Sequence, residues 1–331
     1  MIFDSHSDIW SDVTVKTLRG EKDIFRKYHY ERLHKGGVEG SVFVMWIDPP
    51  YDAQPELRLE QIMDAVRKEL PMCKDILRVV HNYGEMQQAR TEGVFYVFHG
   101  CEGLSAIGED IDQIDRLYDF GVRHAGLTWN EQNALATGIR GEEDRGLTKL
   151  GICALRKIQE KHMLFDVSHL NDKSFWDVMK YAVGPVVATH SASRKLCNVP
   201  RNLTDDMIKA VIETGGMIGV NAYPDFIASE TSEKTVDRLA KHIEHMVSIA
   251  GIDRVGLGFD FCEFLEDTST SSCLDFQSTE NVRNSSELRG MKDASEIPNL
   301  LMAMQKNGFT EEDIKKISCE NWHRMIEKII M

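Results

Sequence analysis

A (β/α)8 barrel of the TIM type, in the α/β class, is the fold this sequence predicts, on three observations. The 331 residues suit one barrel with insertions, since such barrels take about 250 residues before insertion. Short apolar runs rich in Val, Ile, Phe and Leu alternate with longer stretches of helical periodicity, as βα units around a parallel sheet require. Chemistry-bearing His, Asp and Glu side chains fall at the ends of those runs rather than in the helices between them.

Eight runs can be counted: IFDSHSDI (2–9), SVFVMWI (41–47), GVFYVFHG (93–100), RHAGLTW (123–129), MLFDVSH (163–169), PVVATHS (185–191), GMIGVNAY (216–223) and RVGLGFDF (254–261). The intervening periodicity predicts helices near 55–83, 110–119, 147–161, 172–182, 204–214 and 232–250, with two more near 294–306 and 311–329. Thr204 before Asp205 and Asp206, and Thr310 before Glu311, Glu312 and Asp313, have the chemistry of helix N-caps. One segment, 263–290, is polar and Ser/Thr-rich without apolar period. It reads as a long loop inserted after the eighth strand of a single domain spanning 1–331, on the face where barrels carry their active sites.

The charge balance narrows the partners. With 39 Lys+Arg against 53 Asp+Glu the formal charge is −14, which repels nucleic acid and anionic lipid surfaces. No apolar run approaches the roughly 20 residues that span a bilayer, and the N-terminus MIFDSHSDIW has no leader pattern. Seven cysteines, at 73, 101, 153, 197, 262, 273 and 319, are odd in number and form no CxxC pair. A reduced, cytoplasmic protein is the expectation. A homodimer is compatible with the sequence, although no apolar stripe establishes it.

His6 and Asp8 stand two apart on the first run, so strand alternation puts both on one face. Glu102 follows the third run, His169 ends the fifth, His190 lies near the end of the sixth and Asp260 near the end of the eighth. Each has a bland reading taken alone: a hydrogen-bonded core His, a helix cap, a surface ion pair. His99, just before Glu102, competes as a ligand. Together, five donors at the strand ends of one barrel point to metal, and imidazole with carboxylate suits Zn²⁺. Because a catalytic zinc usually keeps about three protein ligands and an open position, the five divide better between two ions sharing a carboxylate and a water. Glu102 is the natural bridge.

These stretches resemble the membrane (renal) dipeptidase family of zinc peptidases, in a bacterial-type form. The resemblance is carried in order by DSHSDI, CEGL (101–104), GVRHAGLTWNEQNALATG (121–138), GLTKLG (146–151), FDVSHLND (165–172), PVVATHSASRKLCNVPRNLTDDMI (185–208) and GIDRVGLGFDF (251–261), with GFTEEDIKKISCENWHRMI near the C-terminus. It implies two Zn²⁺ per chain, one on His6, Asp8 and Glu102 and the other on Glu102, His169 and His190. It further implies Arg201 as the partner of a substrate carboxylate, Asp260 as the proton-transfer group beside a metal-bridging water, and Tyr223 in the substrate pocket. Trp129 departs from the family, standing where its best-studied members place a histidine. Tryptophan cannot serve as a base, so Trp129 is expected to wall the pocket or face an amine. The implied activity is hydrolysis of dipeptides, including those with a C-terminal D-residue. The alternatives are a related dizinc amidohydrolase acting on N-acyl amino acids or lactams, and a non-catalytic barrel that only binds.

Overall fold

A computed structural model describes residues 1–265 and 287–330. Among them one parallel sheet is formed by β1 (Ile2–Ser7), β2 (Val38–Trp46), β3 (Leu77–Val79), β4 (Phe95–Glu102), β5 (Val122–Gly126), β6 (Leu164–Asp166), β7 (Val187–Ser191), β8 (Met217–Val220) and β9 (Val255–Leu257). The strand order is β2-β1-β9-β8-β7-β6-β5-β4-β3, and β2 also pairs with β4, closing an eight-stranded barrel. Each of the eight predicted runs overlaps one barrel strand, with β2 starting earlier, at Val38, and β4 running on to Glu102.

The ninth strand, β3, corrects the expectation of a single helix over 55–83. That helix runs only Pro55–Glu69, and after Pro71 the chain extends as Leu77–Val79 before a second helix at Tyr83–Glu92. β3 pairs with Phe95–Val97 at the start of β4, before β5 takes over that edge at His99. Two helical segments between β1 and β2 were not anticipated, Ile9–Leu18 and the π-turn Phe25–Tyr30 leading into Glu31–Lys35. The final predicted helix is interrupted by a π-turn, Lys316–Glu320, between Glu311–Lys315 and Asn321–Ile329. The expected caps form: Thr204 Oγ1 accepts from the Met207 amide, and Thr310 with Asp313 makes a reciprocal capping box. Most of the polar loop expected at 263–290 lies outside the described residues. Within them, Glu263–Leu265 makes a 3₁₀ turn.

Side chains alternate between two cores, as a period of two requires. Tyr96 and Phe98, Leu164, Val187 and Met217 join one cluster with Phe3 and Trp322. Their neighbours Val97, Phe165, Ala188 and Ile218 join the larger layer under the helices. Trp322 is fully buried and donates its indole N–H to the Leu257 carbonyl at 3.2 Å, tying the C-terminal helix to β9.

Of the four register shifts between paired strands, two fall in β1 and β7. Asp4 pairs with Ser41 but Ser7 with Phe43, and Ala188 pairs with Ile218 but Ser191 with Val220, so β1 and β7 each carry one extra residue. Such bulges re-aim side chains and gather near functional sites. The bulged stretches contain His6 and His190.

Candidate metal centre

The two bulges turn His6 and His190 toward each other, their rings stacked 3.5 Å apart at 22°. Asp8 is the residue after β1, at the N-cap of helix Ile9–Leu18. The pair His6 and Asp8 therefore meets through a bulge and a helix start, not the regular strand alternation expected. Their closest approach is 3.7 Å. Glu102 ends β4, and Gly103 behind it has φ +83, where a Cβ would also stand 2.7 Å from the Trp129 amide nitrogen. His169 lies in the turn beyond β6, three residues past a strand shorter than expected, and Asp260 lies three residues past β9 at φ +59. A non-glycine residue in that left-handed region is uncommon and marks functional constraint, though Asp tolerates it better than most.

The geometry converges on one oxygen. Glu102 Oε1 is 2.7 Å from His169 Nε2, 3.2 Å from His190 Nε2 and 3.5 Å from His6 Nε2. The donor atoms of His6, Asp8 and Glu102 lie within 4.8 Å of one another, as do those of Glu102, His169 and His190. Both ring nitrogens of His6 and Oδ1 of Asp8 are buried without a hydrogen-bond partner. Orphaned buried polar atoms are costly, about 1–3 kcal/mol each, and nitrogen and oxygen donors so arranged fit divalent cations.

The protonation pattern of the metal-free protein reflects the same crowding. Burial drives the Glu102 carboxyl well above its ordinary range, with Asp8 and Asp260 adding to the shift and His6 opposing it. Burial alone would lower His6, but Glu102, Asp8 and Asp260 outweigh it and raise its pKa to about 10. His169 and His190 are held well below the ordinary histidine value by burial, reinforced by Arg201 and His6.

Behind the rings stands a second set of groups. His190 Nδ1 is 2.8 Å from Thr189 Oγ1, whose hydroxyl donates to Asp166. Asp166 also accepts from the Thr189 amide at 3.0 Å, from Ser168 Oγ at 2.6 Å and faces His124 Nε2 at 3.0 Å. Burial works against its charge, yet these bonds hold it well below the usual carboxylate range. With its proton committed to Asp166, Thr189 Oγ1 accepts from His190 Nδ1–H, which leaves the Nε2 lone pair facing Glu102. Asn130 Oδ1, 3.0 Å from His169 Nδ1, fixes the same tautomer there.

Of the remaining predicted residues, Asp260, Trp129 and Tyr223 line the cavity above the cluster together with Trp46, Phe226 and Cys262. Trp129 packs against Trp46 with ring centroids 5.2 Å apart. Asp260 Oδ2 accepts from Asn221 Nδ2 at 2.9 Å, and its Oδ1 is 3.9 Å from His6 Nε2. Arg201 is buried beside the cluster, donating to His169 Nε2 at 3.1 Å and to the His190 carbonyl at 2.9 Å. His99 is committed elsewhere, accepting from Trp10 Nε1 at 3.1 Å and stacked on Phe120. Sequence reasoning missed Asn130, Asp166, Thr189 and Asn221, although the first three lie beside motif residues.

A closed parallel barrel with a carboxylate–imidazole cluster at its C-terminal strand ends is the architecture of barrel metallohydrolases. Residues 1–274 match the family model described as membrane dipeptidase, peptidase family M19, and the chain belongs to that family. It is thereby a metallo-dipeptidase by family. An uncharacterized protein from Klebsiella pneumoniae is 28% identical over 262 residues, 76% of this chain and 89% of its own length. An uncharacterized dipeptidase of Schizosaccharomyces pombe is 33% identical over 209 residues, 61% of this chain and 50% of its own. A metallopeptidase from Rhodobacter sphaeroides, solved with a phosphinate mimic of L-Ala-D-Ala, superposes with a TM-score of 0.84 at 23% identity and 99% coverage of both chains. At that identity the superposition speaks to the fold. No helix among the described residues is long and apolar enough to cross a membrane.

Proposed function

We propose that the chain hydrolyses the peptide bond of dipeptides, L,D-dipeptides included, at a centre of two zinc ions bridged by Glu102. His6 and Asp8 would complete one site, His169 and His190 the other. The observation that carries the reading is the single Glu102 oxygen facing three imidazole nitrogens at 2.7, 3.2 and 3.5 Å. When bound, such a pair of ions supplies an activated bridging water and polarises the scissile carbonyl.

The chain's own residues account for the rest. Asp260, steadied through Oδ2 by Asn221, takes the proton of the attacking water and passes it to the leaving amine. Arg201 now donates to His169 Nε2, the nitrogen a cation would claim. With that nitrogen turned to a cation, the Arg201 guanidinium N–H would be free for the substrate's terminal carboxylate, to which a planar fork is well matched. Trp129, Trp46 and Tyr223 shape the wall, and Trp129 contributes no proton chemistry. The dipeptide mimic bound by the Rhodobacter sphaeroides neighbour supports a D-residue on the C-terminal side. A cytoplasmic setting fits the six described cysteines, none of which is in a disulfide.

The test is a library of L,L and L,D dipeptides and their N-acetylated analogues, given to protein of measured zinc content. Free dipeptides should be cleaved and the acetylated ones spared. Faster cleavage of acetylated substrates would move the chain to the amidohydrolase alternative, and zinc-free protein of full activity would end the dizinc reading.

A further inference from the structure

The cavity holds a donor that neither proposed zinc site uses. Cys262 Sγ lies 3.2 Å from the Asp260 carbonyl oxygen and 3.8 Å from Asp260 Oδ1. The left-handed turn at Asp260, φ +59, brings the chain back so that residues 260 and 262 line the same cavity as Asp8. Donor atoms of Asp8, Asp260 and Cys262 all fall within 4.8 Å of one another. Asp8 is 3% exposed, and its Oδ1 has no hydrogen-bond partner.

From this we infer that Cys262 is a sulfur donor to the metal centre, reaching the ion on the Asp8 side. The inference rests on the proposed metal centre and extends its ligand set. On ligation the thiol proton leaves to solvent, and the contact with the Asp260 carbonyl gives way to a bond with the cation. A thiolate among nitrogen and oxygen donors biases the site toward thiophilic ions such as zinc, cobalt and cadmium and away from magnesium or manganese. No other cysteine among the described residues lines this cavity. Cys73, Cys101, Cys197 and Cys319 are buried elsewhere, and Cys153 is exposed.

The experiment is reconstitution of the full-length protein with Co²⁺. The wild type should show a near-ultraviolet thiolate-to-cobalt charge-transfer band beside the visible ligand-field bands. Cys262→Ser should bind cobalt and lose only the charge-transfer band. In parallel, iodoacetamide labelling read by peptide mass spectrometry should be at least tenfold slower at Cys262 in the cobalt form than in the metal-free form. Cys153 should label equally in both and serves as internal control. Ligand-field bands without charge transfer, a band that survives Cys262→Ser, or metal-independent labelling overturns the assignment while leaving the metal centre standing. Failure to take up cobalt overturns both. If Cys262→Ser does not fold, the wild-type spectrum and the labelling ratio decide.

Discussion

On the β6–β7 side of the cluster, Nδ1 of His169 and Nδ1 of His190 each have a protein partner, and Asn130, Thr189 and Asp166 set both tautomers. On the β1 side, neither nitrogen of His6 and not Oδ1 of Asp8 has one. The first half is organised by side chains before any ion arrives. The second is placed by backbone, through a bulge and a helix start, and a cation at the proposed site would satisfy its polar groups. The contrast separates pre-organisation from occupancy, and each half should fail in its own way.

The largest effect should come from removing a donor of either half. His169→Ala and His6→Ala are each expected to abolish dipeptide hydrolysis. Zinc content should distinguish them, because the braced half should keep its ion in His6→Ala. Full activity with two zincs in either variant would contradict the site. Next, stripping metal with a chelator should lower the melting temperature of the wild type, since an ion present at a thousandfold over its Kd stabilises by about 4 kcal/mol. An unchanged thermogram would show that the orphaned groups on the β1 side are not a metal site.

Asp166→Asn keeps all five donors and loosens only the brace. Loss of such an outer partner costs about 10–100-fold in metal affinity, measurable by competition with a chromophoric chelator. An affinity equal to wild type would mean that the bulge in β7 alone orients His190. The pH dependence probes the other half. In the metal-free protein His6 is raised to about 10, so at neutral pH it carries a proton that a cation must displace. Metal affinity should therefore rise with pH, by up to about tenfold per unit for that one proton. Calorimetry in two buffers of different ionisation enthalpy should detect its release, and pH-independent binding would refute it. Smallest is a change outside both halves: Thr204→Ala removes a helix cap and should cost about 1 kcal/mol of stability with activity unchanged.

The barrel strands were legible because Val-, Ile- and Phe-rich runs stand out against helical periodicity. β3 was not, since Leu77–Val79 is only three residues long and its apolar content blends into the preceding helical pattern. The donors were legible by placement and by resemblance, whereas their geometry was not. A bulge is a property of the register between two strands, and Asp4 with Ser41 or Ala188 with Ile218 leaves no mark on either strand read singly. Asp166 was passed over for a similar reason, since an acid at a strand end shows its role only when Thr189 and His124, distant in sequence, come to meet it.

The closure of the barrel also orders events in time. Ser5 Oγ, next to His6, donates to the carbonyls of Thr189 and Leu257, partners 184 and 252 residues away in sequence. Contacts of such long range form late, after the intervening loop entropy has been overcome. During synthesis from the N-terminus the first strand can pair with β9 only after just over three-quarters of these 331 residues have been made. Loading of the proposed metal centre would thus follow closure, and a truncated nascent chain ending before β9 would lack the β1-side pocket.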